Sequence, residues 1–374
     1  MRVLYLGPGQ SPIVRGRVAP FLDEVQALWI SSEPFPHTFL ARHPNLRAEV
    51  LPRPLLRRLP RRLFLHTADY LAETAARVAT FRPHLIHVHY LSQLDALALL
   101  PVRRTPIVVT VMGADVLEEQ VPRPLPLDWA VRRVLRRARV VTAKSRFLAE
   151  ACCALGARPE RVHRLPWGID TQRFAPQAKA AARAELGLPA EALLLLSSRA
   201  LQPLYNHHSL VEAAASCSPR PELVFVRHAA DEAYAARVLA NARTQGLVAH
   251  VLPSQSPEGM RSLYAAADAC ASLPASDGLP QTLLEAMACE RPTLSLDLEA
   301  YSELPFAHPA LVRVAHRAGE PDAEALLAGL QALLTPNPQR AAALAQARAW
   351  VAREAEFSDS VSAMRRLYAQ FATQ

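Results

Sequence analysis

Apolar and polar positions follow two different periods along this chain. Short apolar runs fall at 3–6, 48–51, 85–89, 107–111 and 140–143 in the first half. Others fall at 192–197, 223–226, 249–252, 269–271 and 293–296 in the second. Runs this short predict strands. Between them, apolar positions on the helical period predict helices over 63–80, 129–137, 209–216, 230–245, 257–267, 279–288 and 323–334, and a long helical stretch over 341–371. Strands alternating with helices build parallel sheets covered by helices. Two doubly wound α/β domains in series fit this order better than one large sheet.

The domain boundary is expected near 165–176, where Pro-Trp-Gly-Ile-Asp-Thr-Gln-Arg-Phe-Ala-Pro interrupts the period with Pro and Gly. This divides the chain into a first domain over 1–165, a linker over 166–178 and a second domain over 179–349. At 374 residues, each domain is large enough to bury its own core.

A composition of 51% apolar and 20% charged residues argues against long disordered tracts. The net charge of +8 is unevenly spread, because residues 1–175 hold 26 Lys+Arg against 14 Asp+Glu and residues 176–374 hold 16 against 20. The halves therefore face different partners. Five cysteines without a Cys-x-x-Cys pair argue against a disulfide framework or a zinc site and suit a reducing cytosol. No His/Asp cluster has ligand spacing, so no metal is expected. The N-terminal apolar run is too short for a signal sequence, and no segment approaches the ~20 apolar residues that span a bilayer. The expected location is cytoplasmic, at most peripheral at the inner face of the membrane. One stretch bears on that last point: Arg53, Arg57, Arg58, Arg61 and Arg62 are interleaved with Leu and with Pro52, Pro54 and Pro60. It suits either an anionic membrane surface or a solvated basic loop. Nucleic acid is not an expected partner, since no nucleic-acid motif is present and aromatics are few near the basic run.

The chemistry concentrates at 271–289, Ala-Ser-Leu-Pro-Ala-Ser-Asp-Gly-Leu-Pro-Gln-Thr-Leu-Leu-Glu-Ala-Met-Ala-Cys. Asp277 and Gly278 stand at a turn, Pro280 suits a first helical turn, and apolar residues follow on a helix. Backbone N–H groups at such a junction, with the positive end of the helix dipole, attract a phosphate or diphosphate. Asp277 and Glu285 could then accept hydrogen bonds from hydroxyls on either side of that anion. The ordinary alternative is an N-cap and a solvated helix residue.

This run resembles the donor-site signature of the retaining glycosyltransferases of the GT-B fold, family four: an acidic residue, seven positions, a Glu, then Ala-Met-Ala-Cys. Asp277 stands where Glu is usual. Further segments resemble the family in order: Ser11-Pro12 and Arg15, residues 82–90, Met112 to Val116, residues 141–145, and Gly168, Ile169, Asp170 and Phe174. Ser198-Arg199-Ala200-Leu201 with Tyr205-Asn206 and residues 263–268 follow, so the likeness runs from about residue 2 to about 371. It implies two Rossmann-like doubly wound domains facing each other across a cleft, with the C-terminal helix, about 350–374, returning to the first. It implies a nucleoside-diphosphate sugar as donor and no other cofactor. Asp277 would contact the transferred sugar, Gly278, Leu279, Pro280 and Gln281 would lie under the diphosphate, Glu285 would hold the ribose, and Arg199 would bind phosphate. Thr282, Tyr205, Asn206 and Arg227 complete the donor side. Gly7, Gly9, Arg15, His89, Gly113 and Asp115 fall on the acceptor side, where a glycan, lipid-linked or small-molecule hydroxyl would arrive.

Several positions depart from the family pattern. Met112 stands where His is frequent, another His is missing near Ile13, Tyr205 replaces a Lys, Arg227-His228 replaces a Gly-rich turn, and Glu290 replaces a Gly. His87 and His89 alternate on one strand and so point the same way. Asp115, after a strand and a Gly, suits either a cleft-facing carboxylate or an Asx-turn. The implied reaction is sugar transfer to a hydroxyl with retention. Two other readings use the same fold: a nucleotide-sugar epimerase, which would need an acid/base pair that the missing imidazoles argue against, and a non-catalytic subunit of a true transferase. Nucleotide binding separates both enzymes from a bare scaffold.

Overall fold

The computed structural model describes residues 1–51, 60–117 and 125–371; over 60–67 it describes the helix but not the side chains. Of the basic stretch, Arg53, Arg57 and Arg58 lie outside the described residues, as do the side chains of Arg61 and Arg62. The chain forms two compact units, Met1–Trp167 with the chain from Ser360 on, and Gly168–Asp359.

The first unit contains β1 (Arg2–Leu6), α1 (Pro12–Val18), β2 (Gln26–Ser31), α2 (His37–Arg42), β3 (Arg47–Val50), α3 (Pro60–Phe81) and β4 (Leu85–His89). It continues through α4 (Gln93–Leu99), β5 (Ile107–Thr110), α5 (Leu125–Arg137), β6 (Val140–Ala143), α6 (Arg146–Ala154) and β7 (Val162–Arg164). The seven strands form one parallel sheet in the order β3-β2-β1-β4-β5-β6-β7. β4, β5 and β6 are buried along their whole lengths, as strands covered on both faces must be. Helices start close behind strands because Ser11, Ser92 and Ser145 accept the N–H of Val14, Asp95 and Leu148 at 3.4, 3.1 and 3.2 Å. The strand order reverses between β1 and β4.

The second unit contains α7 (Lys179–Leu186), β8 (Leu194–Ser197), α8 (His207–Ala215), β9 (Glu222–Arg227), α9 (Glu232–Thr244), β10 (Ala249–Pro253) and α10 (Pro257–Ala266). β11 (Ala269–Ser272), α11 (Gln281–Ala288), β12 (Thr293–Leu296) and β13 (Leu311–Val314) follow. After them come the small hairpin β14 (His316–Arg317) and β15 (Glu320–Pro321), then α12 (Ala323–Leu334) and α13 (Arg340–Glu354). Its main sheet is parallel, in the order β10-β9-β8-β11-β12-β13, reversing between β8 and β11. α14 (Phe357–Ala369) carries the chain back into the first unit.

The strands expected from the apolar runs are present, but β2, β7 and β13 were not among them. β2 is nonetheless buried along Ala27–Ser31, on the side of β1 away from β4. The stretch 341–371, read as one long helical run, is two helices. Ile169 pairs with Glu356 in a parallel bridge, the Ile169 N–H donates to the Ala355 carbonyl at 2.9 Å, and the Phe357 N–H donates to the Ile169 carbonyl at 2.9 Å. These backbone groups cannot serve both the bridge and a continuous helix. Gly168 permits the approach, since a Cβ there would lie 1.6 Å from the Ala355 carbonyl oxygen.

Candidate functional site

β8 and β11 are neighbours at the point of reversal, where open α/β sheets take ligands at the carboxyl ends of their strands. Arg199 leaves the end of β8 and Asp277 the end of β11. The Arg199 Nε donates to Ser272 Oγ at 2.8 Å, and its Nη2 pairs with Asp277 Oδ2. The Tyr301 hydroxyl donates to the same carboxylate oxygen at 3.1 Å, and the Gly278 N–H donates to Oδ1 at 2.7 Å. The guanidinium lies over the Tyr205 ring, 5.1 Å from its centroid. Burial opposes the charge on Arg199, but Asp277 outweighs it and holds the group above its ordinary pKa. Its Nη1 has no hydrogen-bond partner among the described residues.

α11 begins at Gln281, and Pro280 is its N-cap in extended conformation rather than a residue of the first turn. Proline's fixed φ suits either place, and the helix begins two residues later than the apolar period suggests. The Gln281 side-chain amide donates to the Gly168 carbonyl at 3.3 Å. Inside the first turn, the Thr282 and Leu283 N–H groups have no acceptor within the helix, and the Thr282 hydroxyl oxygen is buried without a partner among the described residues. The helix thus opens with donors and the positive end of its dipole. Two turns on, Glu285 accepts the Tyr264 hydroxyl at 2.8 Å, and Ser198 Oγ lies 3.0 Å from the same phenol. Burial pushes the Glu285 carboxyl up to about 7, against the opposing pull of Tyr264 and Arg199.

Two expected donor-side groups are engaged elsewhere. The Asn206 amide nitrogen donates to the carbonyls of Leu273 at 3.0 Å and Gly319 at 2.8 Å, which spends both of its protons on tying loops together. Arg227, exposed at the end of β9, pairs with Glu232 on the first turn of α9. It is His228 that feels Arg199: burial and then that cation lower its pKa.

The residues expected on the acceptor side lie in the first unit and mostly shape its loops. Gly7 packs on His89, whose carbonyl oxygen would be 2.6 Å from an added Cβ, and Gly9 packs on the Phe35 ring. The Arg15 Nη1 donates to the carbonyls of Gly9 at 3.0 Å and Gln10 at 2.5 Å, bracing the loop after β1. Asp115 accepts the N–H groups of Leu91, Met112 and Gly113 at 3.0, 2.9 and 2.9 Å, so the turn-forming role is realised, with Gly113 at φ 132°. Burial raises its pKa against those donors. His87 and His89 do point the same way, with ring centroids 4.0 Å apart. Both rings are buried: His87 is held by the Tyr368 hydroxyl at 2.6 Å and Thr110 Oγ1 at 2.7 Å, and burial lowers it to about 3. Among the described residues, no group of three or more His, Cys, Asp or Glu could hold a metal ion, and no helix is long and apolar enough to cross a membrane.

Tyr264, Ser272 and Tyr301 support the site, and the sequence did not single them out. Tyr264 sits in an apolar helical run and Tyr301 in a short turn after β12, where each reads as ordinary core until its hydroxyl partner is known.

The sequence matches the model of Glycosyltransferase Family 4 over residues 29–173 and that of Glycosyl transferases group 1 over 178–350. It is 29% identical over 258 residues to the D-inositol 3-phosphate glycosyltransferase of Segniliparus rotundus, a match covering 63% of this chain and 56% of that protein. It is 30% identical over 272 residues to the protein of the same name from Nocardia farcinica, covering 65% and 58%. The matched part therefore spans little more than half the length of these relatives. The structure resembles Anabaena HepE in complex with UDP-glucose, with TM-score 0.78, 18% identity and coverage of 99% and 100%. It also resembles sucrose-phosphate synthase from Thermosynechococcus elongatus, with TM-score 0.81, 20% identity and full coverage of both chains. Two Rossmann-like parallel-sheet units, each matched by its own half of the family, establish that this chain belongs to the group 1, family 4 glycosyltransferases of the GT-B fold.

Proposed function

We propose that the chain transfers a hexose from a nucleoside-diphosphate sugar to an acceptor hydroxyl, with retention of anomeric configuration and without a metal. The donor would be held by the Gly168–Asp359 unit and the acceptor by the Met1–Trp167 unit. The observation that carries this reading is Arg199. Ser272 and Asp277 fix its guanidinium at the carboxyl end of β8, while Nη1 has no hydrogen-bond partner among the described residues. As the glycosidic bond breaks, negative charge grows on the β-phosphate. Arg199 and the Thr282 and Leu283 N–H groups would stabilise that charge from fixed positions, the arrangement that lowers a barrier most effectively. Glu285 would accept hydrogen bonds from the ribose, and Asp277 would orient Arg199 and contact the transferred sugar. The acceptor hydroxyl would attack on the face that the diphosphate leaves, so no enzyme nucleophile is needed.

The UDP-glucose complex of HepE makes UDP-sugars the first donors to test, followed by GDP-, ADP- and dTDP-sugars. Calorimetric titration of each against the wild-type chain should find one that binds, and Arg199→Ala should lose turnover with that donor. A wild type that binds none at millimolar concentration would favour the non-catalytic subunit. The reaction would take place on the cytoplasmic side, with the stretch from Arg53 to Arg62 as the contact to an anionic membrane.

A further inference from the structure

The strand order of the first sheet reverses between β1 and β4, so that a second ligand position of the same topological kind exists in the first unit. Arg17 of α1 carries a cation to it. Arg17 is 1% exposed, and neither Nε nor Nη2 reaches an acceptor among the described residues. Nη1 meets only the Met112 sulfur, at 2.7 Å, and the guanidinium lies 5.4 Å from the Trp167 ring centroid. The charged and titratable neighbours leave it unsatisfied. Asp115 acts on Arg17 through its field, but its oxygens take the N–H groups of Leu91, Met112 and Gly113. His87 is committed to Tyr368 and Thr110, and the buried Nδ1 of His89 has no partner among the described residues. Burial lowers the Arg17 pKa to about 9, with Asp115 opposing, so the group remains charged at neutral pH.

A buried cation with unmet donors is costly, and proteins rarely keep one without a use. The two empty donors are not arbitrary. Nε and Nη2 form one edge of the guanidinium plane, the two-pronged edge that matches a pair of oxygens on a phosphate, sulfate or carboxylate. Met112 is the partly exposed member of the group. Its thioether, on Nη1 rather than on that edge, is flexible and a weak acceptor, so it can swing aside as an anion approaches the guanidinium.

We infer that Arg17 and His89 Nδ1 form an oxyanion site closed by Met112, and that the acceptor of this enzyme carries an anionic group that seats there. The site rests on the unmet buried groups of Arg17 and His89, and its assignment to the acceptor rests on the transferase reading.

Isothermal titration with inorganic phosphate at constant ionic strength tests the site, with sulfate and acetate as further arms and chloride as control. Saturating UDP occupies the phosphate-binding groups of the second unit during the titration. One phosphate is expected to bind the wild type. Arg17→Met should weaken it about tenfold or more, and Arg17→Lys, which lacks the fork, should fall between. Met112→Ala should tighten it. Arg17→Met should also withstand more denaturant than the wild type in phosphate-free buffer, because it removes an unpaired buried charge. The inference is overturned if the wild type takes up no phosphate at tens of millimolar, or if the Arg17 variants bind it as the wild type does. Should Arg17→Met not fold, the Arg17→Lys and Met112→Ala titrations decide. Absence of nucleotide binding would remove the transferase reading and leave the phosphate titration interpretable.

Discussion

Replacing Glu285 with Gln should stabilise the chain above neutral pH while weakening its hold on nucleotide. The carboxyl is raised from an ordinary 4.5 to about 7, chiefly by burial. Between those two values the folded chain keeps a proton that the unfolded chain has released, so stability falls as pH rises through this window. A displacement of that size corresponds to about 3 kcal/mol as an upper bound, fully felt only above pH 7. Gln is neutral and nearly isosteric, and its side-chain oxygen can still accept the Tyr264 hydroxyl, which sits 2.8 Å from Glu285. Urea unfolding of the second unit should therefore show Glu285→Gln ahead of the wild type by about 2 kcal/mol at pH 8.5, with the gap closing by pH 5. Nucleotide affinity, measured by titration at pH 8.5, should fall about tenfold, since a hydrogen bond to a charged group contributes ~1.5–3 kcal/mol. In the wild type, affinity should rise with pH through about 7 as the carboxyl ionises. A variant that is less stable than the wild type at pH 8.5, or that binds nucleotide equally well, would refute this account of Glu285.

Arg199→Ala leaves Asp277 without its cation and the departing diphosphate without a guanidinium, so product formation should drop by about a hundredfold or more, on the order of 3 kcal/mol; full activity would remove Arg199 from the phosphate site. Tyr301→Phe deletes only the hydroxyl that donates to Asp277 at 3.1 Å, and turnover should fall about tenfold with the unfolding midpoint nearly unchanged. Gly168→Ala drives a Cβ to within 1.6 Å of the Ala355 carbonyl oxygen and should cost about 3 kcal/mol or more, read by denaturant unfolding. Exchanging Arg57, Arg58, Arg61 and Arg62 for Gln should reduce sedimentation with anionic liposomes, each cation being worth ~1 kcal/mol near such a surface; equal sedimentation would leave the solvated-loop reading of that stretch.

The two parallel sheets were legible because strands buried on both faces must be apolar at successive positions, and β4 at Leu85–His89 or β12 at Thr293–Leu296 carries that requirement in a handful of residues. The spacing from Asp277 to Glu285 was legible for a similar reason, since both ends of the motif belong to one turn and one short helix. What lay beyond a single element was not. The partners of Asn206 and Arg227, Gly319 and Glu232, are known only once the chain has folded. The break at Ala355-Glu356 follows from the backbone of Ile169, far away along the chain, competing for the hydrogen bonds of a helix that local propensity would have continued. Tyr264, Tyr301 and Arg17 acquire their meaning in the same way. Period and propensity are local quantities that a sequence displays directly, whereas the satisfaction of a buried polar group depends on which distant atoms the fold brings within about 3 Å, and only the tertiary structure decides that.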